Sequence, residues 1–154
     1  MQIFKILFCI LGRMFLSAIF IIAALNKLLN WSSAKEGYLE VLAKWHLATD
    51  NIVVERIFDL MAQQANFFLV AATALELIGG LLVLVGIFSR LGAYLLIVFL
   101  IPVTVIYHAF WILSSSERDI QLVMFMKNIA ILGGLMIIAV FGSGITFTKS
   151  QQAP

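Results

Sequence analysis

The chain has 154 residues, 63% of them hydrophobic and 12% charged, with a formal net charge of +2 and a mean hydropathy of +1.09. Soluble domains are roughly half apolar and a quarter charged, so this chain carries more apolar surface than it can hide from water, and the rest must face lipid. The same balance excludes a disordered chain, a disulfide-rich secreted domain and a polybasic partner of nucleic acid. Cys9 is the single cysteine, which leaves no internal disulfide, CxxC pair or thiolate metal cluster.

The first apolar segment covers residues 3–29. Lys5 ahead of an apolar run and small Ala23-Ala24 downstream resemble a signal peptide. Arg13 interrupts the run and similar segments follow, so a retained transmembrane helix is expected. Residues 31–65 differ, because charges alternate with apolar residues at helical spacing. Ser33 and Glu36 suit a capping box, after which Tyr38, Val41, Leu42 and Trp45 share one face. Thr49-Asp50 suits a second N-cap, followed by the stripe Val53, Val54, Ile57, Leu60 and Met61. One or two helices lying at the membrane surface are expected here.

Three more spans follow, at 66–88, 91–113 and 120–141. Each is near or above the ~20 residues needed to cross ~30 Å of hydrocarbon. Their short links, Ser89-Arg90 and 114–119, force antiparallel neighbours. The expected fold is therefore an all-α integral membrane protein: a four-transmembrane-helix bundle with an amphipathic insert between spans one and two. It forms one domain over residues 1–142, with a short tail at 143–154. The basic residues Lys5, Arg90 and Lys149 have no acid nearby, whereas the insert side mixes both signs. Both termini are therefore expected in the cytoplasm.

Several residues are expensive in a span: Arg13 and Lys27 in the first, Glu76 in the second, His108 in the third, Lys127 and Asn128 in the fourth. Each ionised group costs ~2.5–3.5 kcal/mol at a helix centre and must find a partner or water. At ~1.5 Å per residue, Arg13 lies ~15 Å in from the start of its span and Glu76 ~15 Å in from the insert side, near the same midplane, with Lys127 ~10 Å, His108 ~8 Å and Lys27 ~3 Å from the insert side. The expected core contact is Glu76 with Arg13 or with Lys127. Thr104, His108 and Trp111 share a face at i, i+4 and i+7. Pro102 removes a backbone donor there and frees the carbonyl near Val98. Gly79-Gly80, Gly86 and Gly133-Gly134 suit close helix packing. Two readings of the polar set stand: charge pairs that fix helix register, and an inward-facing pocket beneath the insert.

The motifs Leu11-Gly-Arg13, Asn26-Lys27-Leu28, Glu76-Leu-Ile-Gly-Gly-Leu81, Gly86-Ile-Phe-Ser-Arg90, His108-Ala-Phe-Trp111 and Lys127-Asn-Ile-Ala-Ile-Leu-Gly-Gly-Leu135 occur in this order over residues 10–142. Together they resemble the DoxX/DoxD family of small four-span bacterial membrane proteins. The chain departs from that pattern in lacking a Gly-Pro turn after the first span and in having Ala23-Ala24 before Lys27 in place of a Ser-Gly pair. The resemblance implies a bacterial inner-membrane bundle. Some members are subunits of thiosulfate:quinone oxidoreductase, and others take part in oxidative or thiol stress assemblies.

No motif for flavin, haem, iron–sulfur or metal is present, so a redox role calls for quinone or a partner subunit. The leading expectation is an accessory, quinone-linked subunit of a redox or stress-response membrane assembly. Its pocket candidates are Arg13, Asn26, Lys27, Glu76, Thr104, His108, Lys127 and Asn128. Glu76 is the anionic centre, Arg13 and Lys127 its counter-ions, and His108 the titrating or quinone-contacting group. A small-solute or proton transporter, and a scaffold holding soluble partners through residues 31–65, are the alternatives. Expected partners are the lipid bilayer and either a partner subunit or further copies of the chain.

Overall fold

The computed structural model describes residues 2–144. Among these, all regular structure is helical: α1 (Gln2–Leu29), α2 (Trp31–Ala48), α3 (Ile52–Gln63), α4 (Ala65–Val85), α5 (Ser89–Tyr107) and α6 (Ser115–Phe141), with a 3₁₀ turn at Phe110–Ile112. The segments Ile3–Leu29, Ala65–Val85, Ser89–Ile112 and Ser116–Phe141 are long and apolar enough to cross a membrane. Their outward faces carry Phe15, Ile22, Val70, Val98, Val123 and Ile137, all exposed. Such a surface is stable only against lipid. Most of the expected tail, with Lys149, lies outside the described residues.

The four spans pack in chain order, α1 on α4, α4 on α5 and α5 on α6, while α6 meets α1 only sparsely. Glycine sets the closest approaches. A Cβ on Gly92 would stand 2.8 Å from the Gly79 carbonyl oxygen, and one on Gly80 2.9 Å from Ile21. Gly133 has open space around it and Gly134 makes only ordinary contact with Leu16, so the glycine pair of α6 does not bring helices together as expected. The central core is Phe20, Val83, Ala93, Leu96, Phe99, Leu100, Leu135 and Ala139.

The insert forms two helices laid over one end of the bundle. Asn30 alone separates α1 from α2, and Gln64 alone separates α3 from α4. The helix starts differ from those expected. Helix α2 begins at Trp31, which leaves Ser33 and Glu36 inside its first turns, with no capping box. The cap of α3 is Asn51, not Thr49-Asp50: its side chain accepts from Val53 N and Val54 N at 3.0 and 3.3 Å. Thr49 serves one step earlier by accepting from Asn51 N.

Tyr38, Leu42, Phe58 and Ala65 form a second small core, with Trp45, Val54, Met61, Ile106 and Tyr107 packed on it. The stripe expected inside on α3 divides. Val54 and Met61 turn inward, while Val53, Ile57 and Leu60 stay exposed beside Ile52 and Leu47. An apolar face on a helix lying across the bundle end suits the headgroup–acyl boundary.

Helix α5 stops at Tyr107, six residues short of the expected end, and the chain continues through His108 into the 3₁₀ turn. Trp45 meets this stop: its indole N–H donates to the Ile106 carbonyl at 2.8 Å. The α4–α5 turn closes on Gly86, whose φ of +84° is left-handed and favours glycine.

Candidate functional site

Beneath the insert lies a cavity of about 700 Å³. Helices α1, α4, α5 and α6 form its walls, while Ser33, Ala34, Gly37 and Tyr38 of α2 and Met61 of α3 form its cover. Phe20, Phe68, Phe99 and Tyr107 make much of the lining aromatic. The volume is that of sites for drug-sized molecules, which are likewise mostly apolar with a few placed polar groups.

Six of the eight candidate residues line this cavity: Asn26, Lys27, Glu76, His108, Lys127 and Asn128. Arg13 and Thr104 do not. The buried Glu76 carboxylate is paired with Lys27, neither with Arg13 nor with Lys127. The reason is side-chain direction: a helical Cβ leans toward its helix's N-terminus. Helix α1 runs toward the insert, so Lys27 leans back into the bundle; α4 runs away from it, so Glu76 leans up to meet the lysine. Counting backbone depth alone ignores this lean and separates the two. The Lys27 ammonium also stands 5.3 Å from the Phe99 ring centroid, a cation–π distance.

By the same rule Arg13, on the same helix as Lys27 but deeper in the bundle, leans away from the insert and so away from Glu76. It lies fourteen residues before Lys27, ~21 Å along the helix, and its guanidinium packs against Gly86 at the far end of α4, where a Cβ would overlap Nη1. There it faces the C-terminal end of a helix, which favours positive charge. It is buried, and its Nε has no hydrogen-bond partner. Arg13 is therefore not a counter-ion of Glu76.

Lys127 is exposed at the cavity's edge. Its ammonium donates only to Met124 Sδ at 3.4 Å, a weak acceptor, and no carboxylate pairs with it among the described residues. Asn128, one step round the helix, is buried and donates to Thr104 Oγ1 at 3.1 Å, while Thr104 donates to the Leu100 carbonyl at 2.6 Å. Thr104 thus serves as a bolt between α5 and α6. It does not share a face with His108 and Trp111, because the helix has ended before them. His108 Nδ1 lies 2.7 Å from Gln121 Oε1, joining the end of α5 to the start of α6.

Tyr38 and Gln121 gave no signal beforehand. Tyr38 reads as a packing residue on the apolar face of α2, and it does stack on Tyr107 with centroids 6.5 Å apart. Its hydroxyl, however, is buried without a partner. Burial holds this phenol above its ordinary pKa, so it remains a neutral donor. Only the closing of the insert over the bundle creates that orphan donor.

Residues 8–109 match the DoxX family. The chain belongs to that family. One curated relative, "Inner membrane protein YphA" of Escherichia coli (strain K12), is 26% identical over 91 residues, covering 59% of this chain. The chain spans about 65% of that relative's length. No solved structure matches. As a DoxX-family protein with four spanning helices, the chain is an integral membrane protein, and family and fold agree with the reading of the ordered motifs.

Proposed function

We propose that this DoxX-family protein holds a lipid-soluble redox carrier, a quinone, in the cavity beneath its insert, as an accessory subunit of a redox or stress-response assembly in the bacterial inner membrane. The observation that carries this reading is a surplus of donors in an aromatic-lined cavity. The one carboxylate, Glu76, is engaged by Lys27, while the Tyr38 hydroxyl and the Lys127 ammonium lack a good acceptor. A quinone head offers acceptors only, together with a flat ring that suits Tyr107 and Phe99. The residues fit such a ligand: Lys127 would bind one carbonyl oxygen, a small turn of the Tyr38 ring would bring its buried, unpartnered hydroxyl to the other, and the Glu76–Lys27 pair would fix the wall against which it rests. Electrons would come from a partner subunit, because this chain has no motif for a redox centre of its own.

The name of the Escherichia coli relative supports the inner membrane as the location. The start of α1 and the end of α6 meet near Cys9 and Gly144 at the end opposite the insert, so the two ends share a side. Lys5 and Arg90 on that side support the reading that it is the cytoplasmic one. Reporter fusions near Thr49 and at the C-terminus should read periplasm and cytoplasm respectively; a periplasmic C-terminus would reverse the assignment.

Binding of decylubiquinone to the protein in nanodiscs, corrected for partition into empty nanodiscs, tests the function. Saturable binding that weakens in Tyr38→Phe is expected. Partition equal to that of empty discs would overturn the reading.

A further inference from the structure

The cavity's lining includes exposed residues on two sides of the bundle, and the two sides differ in chemistry. Between α1 and α6 its rim carries Ile19, Asn26 and Lys127, all exposed. Between α4 and α5 its rim carries Phe68, Val98 and Pro102, also exposed and without a charged side chain.

The helix contacts explain both openings. Lys127, Ile131 and Gly134 follow at i, i+4 and i+7 and so share one face of α6. Gly134 touches Leu16 of α1, and Gly144 lies near Cys9, so α1 and α6 meet toward the end away from the insert. Seven residues nearer the insert, ~10 Å along the helix, Lys127 faces the cavity instead. Helices α4 and α5 show the same wedge. They close tightly at Gly79 and Gly92, but toward the insert their residues Phe68, Leu75 and Phe99 line the cavity. There Pro102 also removes one backbone N–H from α5.

A volume of about 700 Å³ accommodates a ring but not a whole membrane lipid. A chain attached to the ring must leave through one opening. Passing it between α1 and α6 would lay hydrocarbon against an ammonium with no carboxylate partner, a contact that gives neither group what it needs. Passing it between α4 and α5 lays it against Phe68, Val98 and Pro102, in continuity with the surrounding lipid.

We infer that the cavity is a transverse passage that orients a single-chain amphiphile, with the acceptor-bearing head at the Lys127 opening and the hydrocarbon chain leaving between α4 and α5. This rests on the reading of the cavity as a quinone site and adds the orientation of the ligand, its route and the residue that selects the head.

The test compares decylubiquinone with its chainless ring, a dimethoxy-methyl-benzoquinone, on the nanodisc-embedded full chain. Three variants are used: Val98→Trp, Ile19→Trp and Lys127→Gln. Val98 and Ile19 are 62% and 40% exposed, so an indole at either position projects outward, and an unchanged melting temperature confirms folding. Val98→Trp should weaken the chain-bearing probe about tenfold and leave the chainless ring unaffected. Ile19→Trp should leave the affinity ratio of the two probes as in the unmodified protein. Lys127→Gln should weaken both probes alike. A selective loss of the chain-bearing probe in Ile19→Trp, or unchanged binding of both probes in Lys127→Gln, would overturn the orientation while leaving the quinone site intact. Failure of the unmodified protein to bind either probe would overturn the site itself.

Discussion

Trp45 donates its indole N–H to the carbonyl of Ile106 across 2.8 Å, at the turn where α5 runs out of helix. The carbonyls of a last helical turn have no partner within the helix, and here a residue of the insert supplies one. The same ring stacks on Phe58 at 5.3 Å and meets Trp111 edge-on at 6.2 Å. One side chain thus fastens the cover of the cavity to its wall.

Trp45→Phe keeps an aromatic ring and removes the donor. A lost hydrogen bond that strands a partly buried carbonyl costs about 1–3 kcal/mol. The expected result is a lower melting temperature in detergent, with faster amide exchange confined to α2 and α3. Exchange that speeds up equally in all four spans would show that Trp45 supports the bundle rather than its cover.

Glu76 and Lys27 should behave as a unit. Breaking a fully buried pair costs about 3–5 kcal/mol, and the partial exposure of Lys27 places each single change, Glu76→Gln or Lys27→Gln, at about 1–3 kcal/mol. The double variant should recover most of that loss. Strict additivity in a double-mutant cycle would show that the two are not coupled.

Gly86→Ala meets two obstacles, a left-handed φ and the Arg13 guanidinium. The backbone part costs roughly 1–2 kcal/mol; the overlap adds to it. Arg13→Ala in the same chain should relieve the overlap alone, so the pair should be less destabilised than the sum of the two single changes. Thermal unfolding of the three variants separates the parts.

Tyr38 links stability to pH. Its phenol is held above the ordinary value by burial, so the folded chain retains this proton more tightly than the unfolded one. The corresponding stability is present in full below the unfolded pKa of about 10 and is lost as pH rises through the folded value. Tyr38→Phe should remove this alkaline loss. It should also raise the melting temperature by the equivalent of about 1 kcal/mol, because it deletes a buried donor that has no partner. A stabilised variant that binds decylubiquinone less well is the combined outcome to measure, by melting curves from neutral pH to pH 11 and by the binding assay.

The spans were legible because ~20-residue apolar runs have few alternatives in a membrane, and the insert because its charges interrupt apolar residues at helical spacing. The ends were less so. Asn51 displaced Thr49-Asp50 as the cap of α3, and α5 stopped at Tyr107 although apolar residues continue to Leu113; such ends depend on which partner reaches the last backbone groups. Six of the eight polar candidates line one cavity, Arg13 and Thr104 do not, and Glu76 pairs with Lys27 rather than with either expected partner. Depth along the sequence places Arg13 level with Glu76, whereas the lean of side chains along antiparallel helices brings Lys27 to Glu76 and carries Arg13 away. Tyr38 was visible only as an apolar-face residue, since its unpartnered hydroxyl depends on how α2 settles over α4 and α5.

The sparse contact between α1 and α6 bears on how the chain is made. The first and last spans are farthest apart in sequence, and a closed ring would have to wait for the last to emerge before the first could be sealed. In this arrangement every extensive interhelical seam joins a span to the one synthesised just before it. Each newly inserted helix finds its partner already in the bilayer, and assembly can advance one span at a time without the long-range closure that slows folding of high-contact-order topologies.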